Sequence, residues 1–258
     1  MGQGIAQVFA SGGFDTLLFD DNAERVTTAI ANIEKSLNTL VQKGKISASD
    51  KSKTLSRLHP CPSFELVKAD LIIEAIVEDL SIKQKLFQAL ELQNLGSTIL
   101  CTNTSSLSVS KIFEGCTNQS RCLGVHFFNP AHVMKLVELI SGVKTSPHVL
   151  AEVANLLKQL GKITVTAKDS PGFIVNRVAR PFYLESLKIL EEGGSSVEDI
   201  DALLRSTGFK MGPFELIDLI GLDVNLAVSQ AVYEGFNQNP KYKPIYVMIY
   251  RIIFNKNK

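Results

Sequence analysis

The chain has 258 residues, with 27 Lys+Arg against 26 Asp+Glu and a formal net charge of +1. Its 45% apolar and 21% charged residues are a globular composition, which excludes a disordered chain. The balanced charge excludes a nucleic-acid binder that works by neutralising phosphates. Four cysteines, Cys61, Cys101, Cys116 and Cys122, show no C-x-x-C pair and are too few for a disulfide scaffold. No apolar run approaches the roughly eighteen residues of a membrane span, and Met1-Gly2-Gln3-Gly4 carries no basic leader segment. The expectation is a cytoplasmic protein with reduced cysteines, no membrane and no nucleic acid; a transit peptide lost with the N-terminus would make it a mitochondrial matrix protein.

In chain order, residues 2–11 read as a short helix stopped by Gly12-Gly13. Thr16 to Phe19 is a brief apolar run closing on Asp20-Asp21, the pattern of a buried strand ending in a carboxylate. Residues 23–43 place Val26, Ala29, Ile30, Ile33, Leu37, Leu40 and Val41 at helical spacing, and lysines follow at 43, 45, 51 and 53. Strand-like runs come at Ala69–Val77, Ile99–Thr102, Cys122–Phe128, Met134–Ile140 and Ile163–Thr166. A helix around 81–93 shows Ile82, Leu86, Phe87 and Leu90 on one face. Another begins at Ser146-Pro147 and ends at Gly161. Strand and helix units alternating in this way predict a Rossmann-like, doubly wound α/β domain with a mostly parallel sheet.

After Asp169-Ser170-Pro171-Gly172 the pattern becomes helical, over 173–192, 196–207 and 213–231, with Ser195 and Glu198 as a capping box for the second helix. The predicted division is an α/β domain over 1–169 and an all-α domain over 170–258. Gly2 and Gly4 before a helix, with Asp20 at the next strand end, are half of a dinucleotide-binding arrangement. The helix N-terminus faces a pyrophosphate and the carboxylate takes ribose hydroxyls. No basic residue directly follows Asp20, which favours NAD over NADP.

Six stretches are specific. Glu74-Ala75-Ile76-Val77-Glu78, Cys101-Thr102-Asn103-Thr104-Ser105-Ser106, His126-Phe127-Phe128-Asn129-Pro130 and Met134-Lys135-Leu136-Val137-Glu138 fall in the first domain. Ser170 to Arg177 (SPGFIVNR) and Met211 to Leu216 (MGPFEL) fall in the second. In this order they resemble the L-3-hydroxyacyl-CoA dehydrogenases, from residue 1 to about 235. The resemblance implies oxidation of a 3-hydroxyacyl-CoA to a 3-ketoacyl-CoA with NAD as cofactor, as in β-oxidation or short-chain acyl-CoA metabolism. It makes His126 the general base and Glu138 its partner. Ser105 and Asn176 become the groups that position substrate, in a cleft between the domains. Gly2, Asp20, Glu78, Lys83, Ser105 and Asn129 become the NAD contacts, and Ser36 and Lys43, on the long helix, the CoA contacts. A homodimer through the second domain is implied too. His59, His132 and His148 are expected to be structural, and the cysteines buried.

Two departures from the family set further expectations. Met1 matches a methionine inside the family's glycine loop, so the first strand and the leading G-x-G have no counterpart here; an incomplete sheet and weakened NAD binding are expected. Pro244 to Phe254 runs apolar, β-prone and nearly uncharged where the family has a helix and a glycine-containing aromatic tail, an aggregation signature if exposed. The alternative function is therefore a truncated, catalytically silent acyl-CoA-binding or dimerising relic. A sister dehydrogenase acting on a sugar acid is a third reading, opposed by Ser36 and Lys43.

Overall fold

The computed structural model describes residues 1–245. Most of the apolar run at Pro244–Phe254, from Tyr246 on, lies outside the described residues. By its contacts the chain divides into two units. One comprises Met1–Thr104 with Ser108–Asp169; the other comprises Ser170 onward together with Ser105–Leu107.

The first unit opens with α1 (Gly2–Ser11), β1 (Thr16–Leu18), α2 (Ala23–Gln42), α3 (Ala48–Leu55) and β2 (Leu58–Pro60). It continues through β3 (Leu71–Glu74), α4 (Leu80–Gln93), β4 (Ile99–Thr102), a single turn α5 (Val109–Ile112) and β5 (Cys122–Phe127). β6 (Leu136–Ser141), α6 (Pro147–Gln159) and β7 (Ile163–Lys168) complete it. The strands form two sheets: a parallel pair β1-β2, and a five-stranded sheet in the order β3-β4-β5-β6-β7. All pairings are parallel except β5 with β6, which is antiparallel. Among the described residues no strand joins β1 to β3.

α1 links the two halves, and its sequence says how. A helix buried nearly all round must be apolar nearly all round, and Ile5 through Ala10 are all buried. Ile5 and Phe9, one turn apart, pack on the five-stranded sheet with Cys101, Leu123, Val125 and Val137. Ala6 and Ala10 face the other way, toward Leu18, Val26, Ile33, Leu37 and Leu58. Gly4 sits where an added Cβ would lie 3.3 Å from the Ala131 Cβ, so the helix runs close under the loop after β5. Every residue of β4 and β5 is buried, as strands covered on both faces must be.

Several predicted elements shift. Residues 48–55 form a helix that the lysine-rich composition obscured; its signal is the capping box of Ser47 with Asp50. β2 was not anticipated. α4 buries Lys83, Phe87 and Leu90, whereas Ile82 is exposed, because the burial stripe runs through a lysine that apolar periodicity passes over. All four cysteines are buried thiols, and burial pushes the Cys101 thiol well above its ordinary range. His132 is exposed, and His59 pairs with Asp15 at the surface.

The second unit contains α7 (Val175–Glu191), α8 (Val197–Ser206), α9 (Pro213–Ile220) and α10 (Leu222–Gly235). The single helix expected over 213–231 is two helices bent by 101° at Gly221, whose φ of 100° lies in the region that favours glycine. The cap of α8 is Ser196, accepting from the Asp199 N–H, one residue later than the expected Ser195 with Glu198. Tyr183, Leu187, Ile200, Phe214 and Ile217 form its core. No single helix among the described residues is long and apolar enough to cross a membrane.

Candidate active site

The expected cofactor residues of the first unit gather at one kind of place. Asp20 follows β1, Glu78 follows β3 and Asn129 follows β5, each just past the carboxyl end of its strand, where open α/β sheets bind ligands. Ser105 follows β4, in the three-residue segment that belongs with the second unit. Asp20 accepts the Asn22 N–H at 3.0 Å and lies 3.6 Å from the Arg25 guanidinium, a neighbour that inspection of the residues directly after Asp20 missed. Gly2 opens α1, and a Cβ added there would meet nothing within 4 Å, so the helix end can be closely approached. An approachable helix N-terminus and a strand-end carboxylate suit the pyrophosphate and ribose of a dinucleotide.

His126 and Glu138 are brought together by strand register. They are direct partners in the antiparallel β5–β6 pair, so their side chains share a face. The His126 Nδ1 lies 2.7 Å from the Glu138 Oε2, with the imidazole 8% and the carboxylate 0% exposed. Glu138 is thus wholly buried and not on a solvated strand face. The ring also packs on Phe128, 4.6 Å between centroids. A carboxylate on Nδ1 fixes the tautomer and steadies a protonated ring.

The connection between these strands carries Asn129 and is held by a group that sequence reasoning passed over. Lys162 donates to the Ala131 carbonyl at 2.5 Å and to the Met134 carbonyl at 2.8 Å, and burial holds its ammonium below the ordinary lysine range. Asn103 accepts the Phe127 N–H at 2.9 Å, tying the end of β4 to β5.

Lys83 is not at the surface. Its Nζ lies 2.5 Å from the Glu74 Oε1 and 3.2 Å from the Glu78 Oε2. Glu74 also accepts from Thr102 Oγ1 and the Ile76 N–H, both at 2.7 Å, while Thr104 donates to Glu78. In the sequence Glu74 and Thr102 stand out only as members of their motifs. The signal that could have found them is a carboxylate at the end of an apolar strand nine residues before a lysine on an apolar helix face.

Ser105 and Asn176 come together within the second unit, the Asn176 Nδ2 donating to the Ser105 carbonyl at 3.4 Å. Ser36 and Lys43 do not touch. Ser36 is half-buried and accepts from Gln7 at 3.4 Å, whereas Lys43 is exposed and caps α2 instead of lying within it.

A Rossmann-like sheet with strand-end carboxylates and a buried His–Glu pair, followed by a helical unit, defines a nicotinamide-dependent dehydrogenase class. Residues 1–170 match the model of the 3-hydroxyacyl-CoA dehydrogenase NAD-binding domain, and residues 172–254 match that of the C-terminal domain. The chain belongs to the 3-hydroxyacyl-CoA dehydrogenase family, and NAD is the cofactor of its first domain. It is 47% identical over 246 residues to the 3-hydroxyadipyl-CoA dehydrogenase of Escherichia coli, covering 95% of this chain and 52% of that protein. It is 38% identical to the mitochondrial hydroxyacyl-coenzyme A dehydrogenase of Sus scrofa, covering 99% and 84%. The crystal structure of (S)-3-hydroxybutyryl-CoA dehydrogenase from Ralstonia eutropha superimposes with a TM-score of 0.95 at 38% identity, covering 99% and 90%. The chain thus spans about half of the E. coli relative and more than four fifths of the other two.

Proposed function

We propose that the protein oxidises an L-3-hydroxyacyl-CoA to the 3-ketoacyl-CoA, with His126 as general base and Glu138 as its partner. The observation that carries this is the buried His126–Glu138 pair at 2.7 Å, set by the β5–β6 register. His126 takes the proton of the 3-hydroxyl at Nε2, the ring nitrogen opposite Glu138. The Glu138 carboxylate stabilises the imidazolium that results. When bound, NAD would supply the acceptor for the hydride from C3. Asp20 and the amide end of α1 at Gly2 would hold its ribose and pyrophosphate, Glu78 and Asn129 would contribute further contacts, and Lys83 would act through Glu78. Ser105 and Asn176 orient the hydroxyl and thioester. Ser36 and Lys43 meet the CoA moiety, Lys43 as an exposed point charge for its phosphates.

The relatives differ in acyl group, adipyl in one and butyryl in another. A homodimer through the helical unit is part of this reading, supported by the exposed Leu203, Phe209, Leu219 and Val224 on it. The test is NADH formation from 3-hydroxybutyryl-CoA by the purified chain and by His126→Ala. The base contributes about 10²–10⁴-fold, so the variant should lose that much in kcat. Full turnover by the variant would end the assignment.

The division of the strands into two sheets favours a second reading, a catalytically silent acyl-CoA-binding protein. Titration with NADH separates the two: micromolar binding supports the enzyme, and none supports the silent protein.

A further inference from the structure

Among its described residues the helical unit buries a positive charge without a negative one. Arg180, on α7, is 4% exposed, and among the described residues no carboxylate lies within ion-pairing distance of it. Every group among the described residues that meets it is neutral. Its Nε donates to the Asn176 carbonyl at 3.2 Å. Its Nη1 donates to the Ser229 Oγ at 2.8 Å, the Asn225 carbonyl at 3.2 Å and the Asn225 Oδ1 at 3.3 Å. The guanidinium stacks over the Tyr183 ring at 4.8 Å. Tyr183 is itself held in its neutral form, because burial pushes its hydroxyl up.

A buried guanidinium stays charged, and one with no counter-ion is costly. Beside it lies an unspent donor. The Asn225 amide, 2% exposed, has its orientation fixed because its oxygen accepts from Arg180. Its Nδ2 is then buried without a hydrogen-bond partner. A cation and an unsatisfied N–H in one place are donors only, and the ligand chemistry that answers both is a carboxylate, acceptor-only and negatively charged. Asn176 and Arg180 are four residues apart on α7, about 6 Å of rise, the span of a short acyl chain.

We infer that Arg180, Asn225 and Ser229 form a subsite for a terminal carboxylate on the acyl group, making the preferred substrate a CoA thioester of a short dicarboxylic acid. The subsite rests on the dehydrogenase reading for the placement of the acyl chain beside Asn176, and it adds the substrate class.

The probes are adipyl-CoA and hexanoyl-CoA, which share a six-carbon acyl chain and differ in the terminal carboxylate. Their dissociation constants are measured by calorimetry on the full chain. The carboxylated probe should bind at least tenfold more tightly to the natural sequence. That ratio should fall to about one in Arg180→Met, and should fall also in Asn225→Asp, which supplies an internal carboxylate to occupy the guanidinium. Thermal melts accompany the binding. Replacing an uncompensated buried charge by an apolar side chain should hold or raise the melting temperature. A ratio near one in the natural sequence, no binding of adipyl-CoA, a ratio that survives Arg180→Met, or a collapse of the fold in both variants would overturn the subsite. The two readings fail differently. An Arg180-dependent ratio without NAD reduction keeps the subsite and removes the dehydrogenase, whereas oxidation of 3-hydroxybutyryl-CoA with a ratio of one does the reverse.

Discussion

Lys83 Nζ lies between two carboxylates, 2.5 Å from Glu74 and 3.2 Å from Glu78, with its side chain 1% exposed. A lysine so enclosed cannot offer its charge to a phosphate in solution; it fixes the end of β3 and the loop bearing Glu78. Removing one partner of a buried pair leaves the other uncompensated, at a cost of about 3–5 kcal/mol. Lys83→Met should lower the unfolding free energy by about that amount in urea titration, and Lys83→Met with Glu74→Gln should recover part of it. A single variant as stable as the parent would mean that the pair is not sustained in solution.

Glu138→Gln tests the proposed roles of the His126–Glu138 pair. The amide fills the same buried space but carries no charge to steady a protonated His126. We expect kcat to fall by about 10²-fold or more, with the cooperative melt retained. Unchanged kcat would assign Glu138 to packing alone.

The legible parts of the molecule were those where chemistry and period coincide. α1 was readable to the residue, because glycines bracket an apolar run, and α2 nearly so, because Val26, Ile33 and Leu37 recur at helical spacing. The His126–Glu138 pairing came from family resemblance: nothing local announces that two residues twelve apart face each other across an antiparallel strand pair. The break at Gly221 was illegible, since the apolar pattern continues through it and only the backbone torsion ends α9. Arg180 escaped notice because arginine on a helix is ordinarily a solvated residue; that it lies buried among neutral partners is a tertiary fact. Lys162 escaped notice for the same reason.

Gly212 carries a steric requirement that the MGPFEL motif states without explaining. A Cβ there would fall 2.2 Å from the Asp201 Oδ1 and 2.4 Å from its Cβ. Asp201 is short, 4% exposed, and committed to the Phe214 N–H at 2.9 Å and the Glu215 N–H at 3.1 Å, the unpartnered donors that open α9. It cannot swing aside without losing both bonds. Gly212→Ala should destabilise the protein by about 1–3 kcal/mol, read by chemical denaturation. A neutral result would mean that α8 and α9 separate at little cost.

Glu215 closes the same turn and gives it a pH dependence. Its carboxylate accepts the Gly212 N–H at 2.9 Å and pairs with Arg205. The backbone bond first, then the arginine, hold its pKa below the ordinary value of 4.5. A group whose folded pKa is depressed stabilises the fold above its unfolded pKa, and that contribution is lost as pH falls through the folded one. Glu215→Gln should therefore melt lower than the parent at neutral pH. The gap should begin to close as pH drops through about 4.5 and disappear once the parent's carboxyl is protonated as well. Comparing the two proteins at each pH cancels the other groups that titrate in acid. A gap that is constant with pH would assign the effect to side-chain shape, and a gap that widens in acid would reverse the sign and remove Glu215 as a stabilising carboxylate.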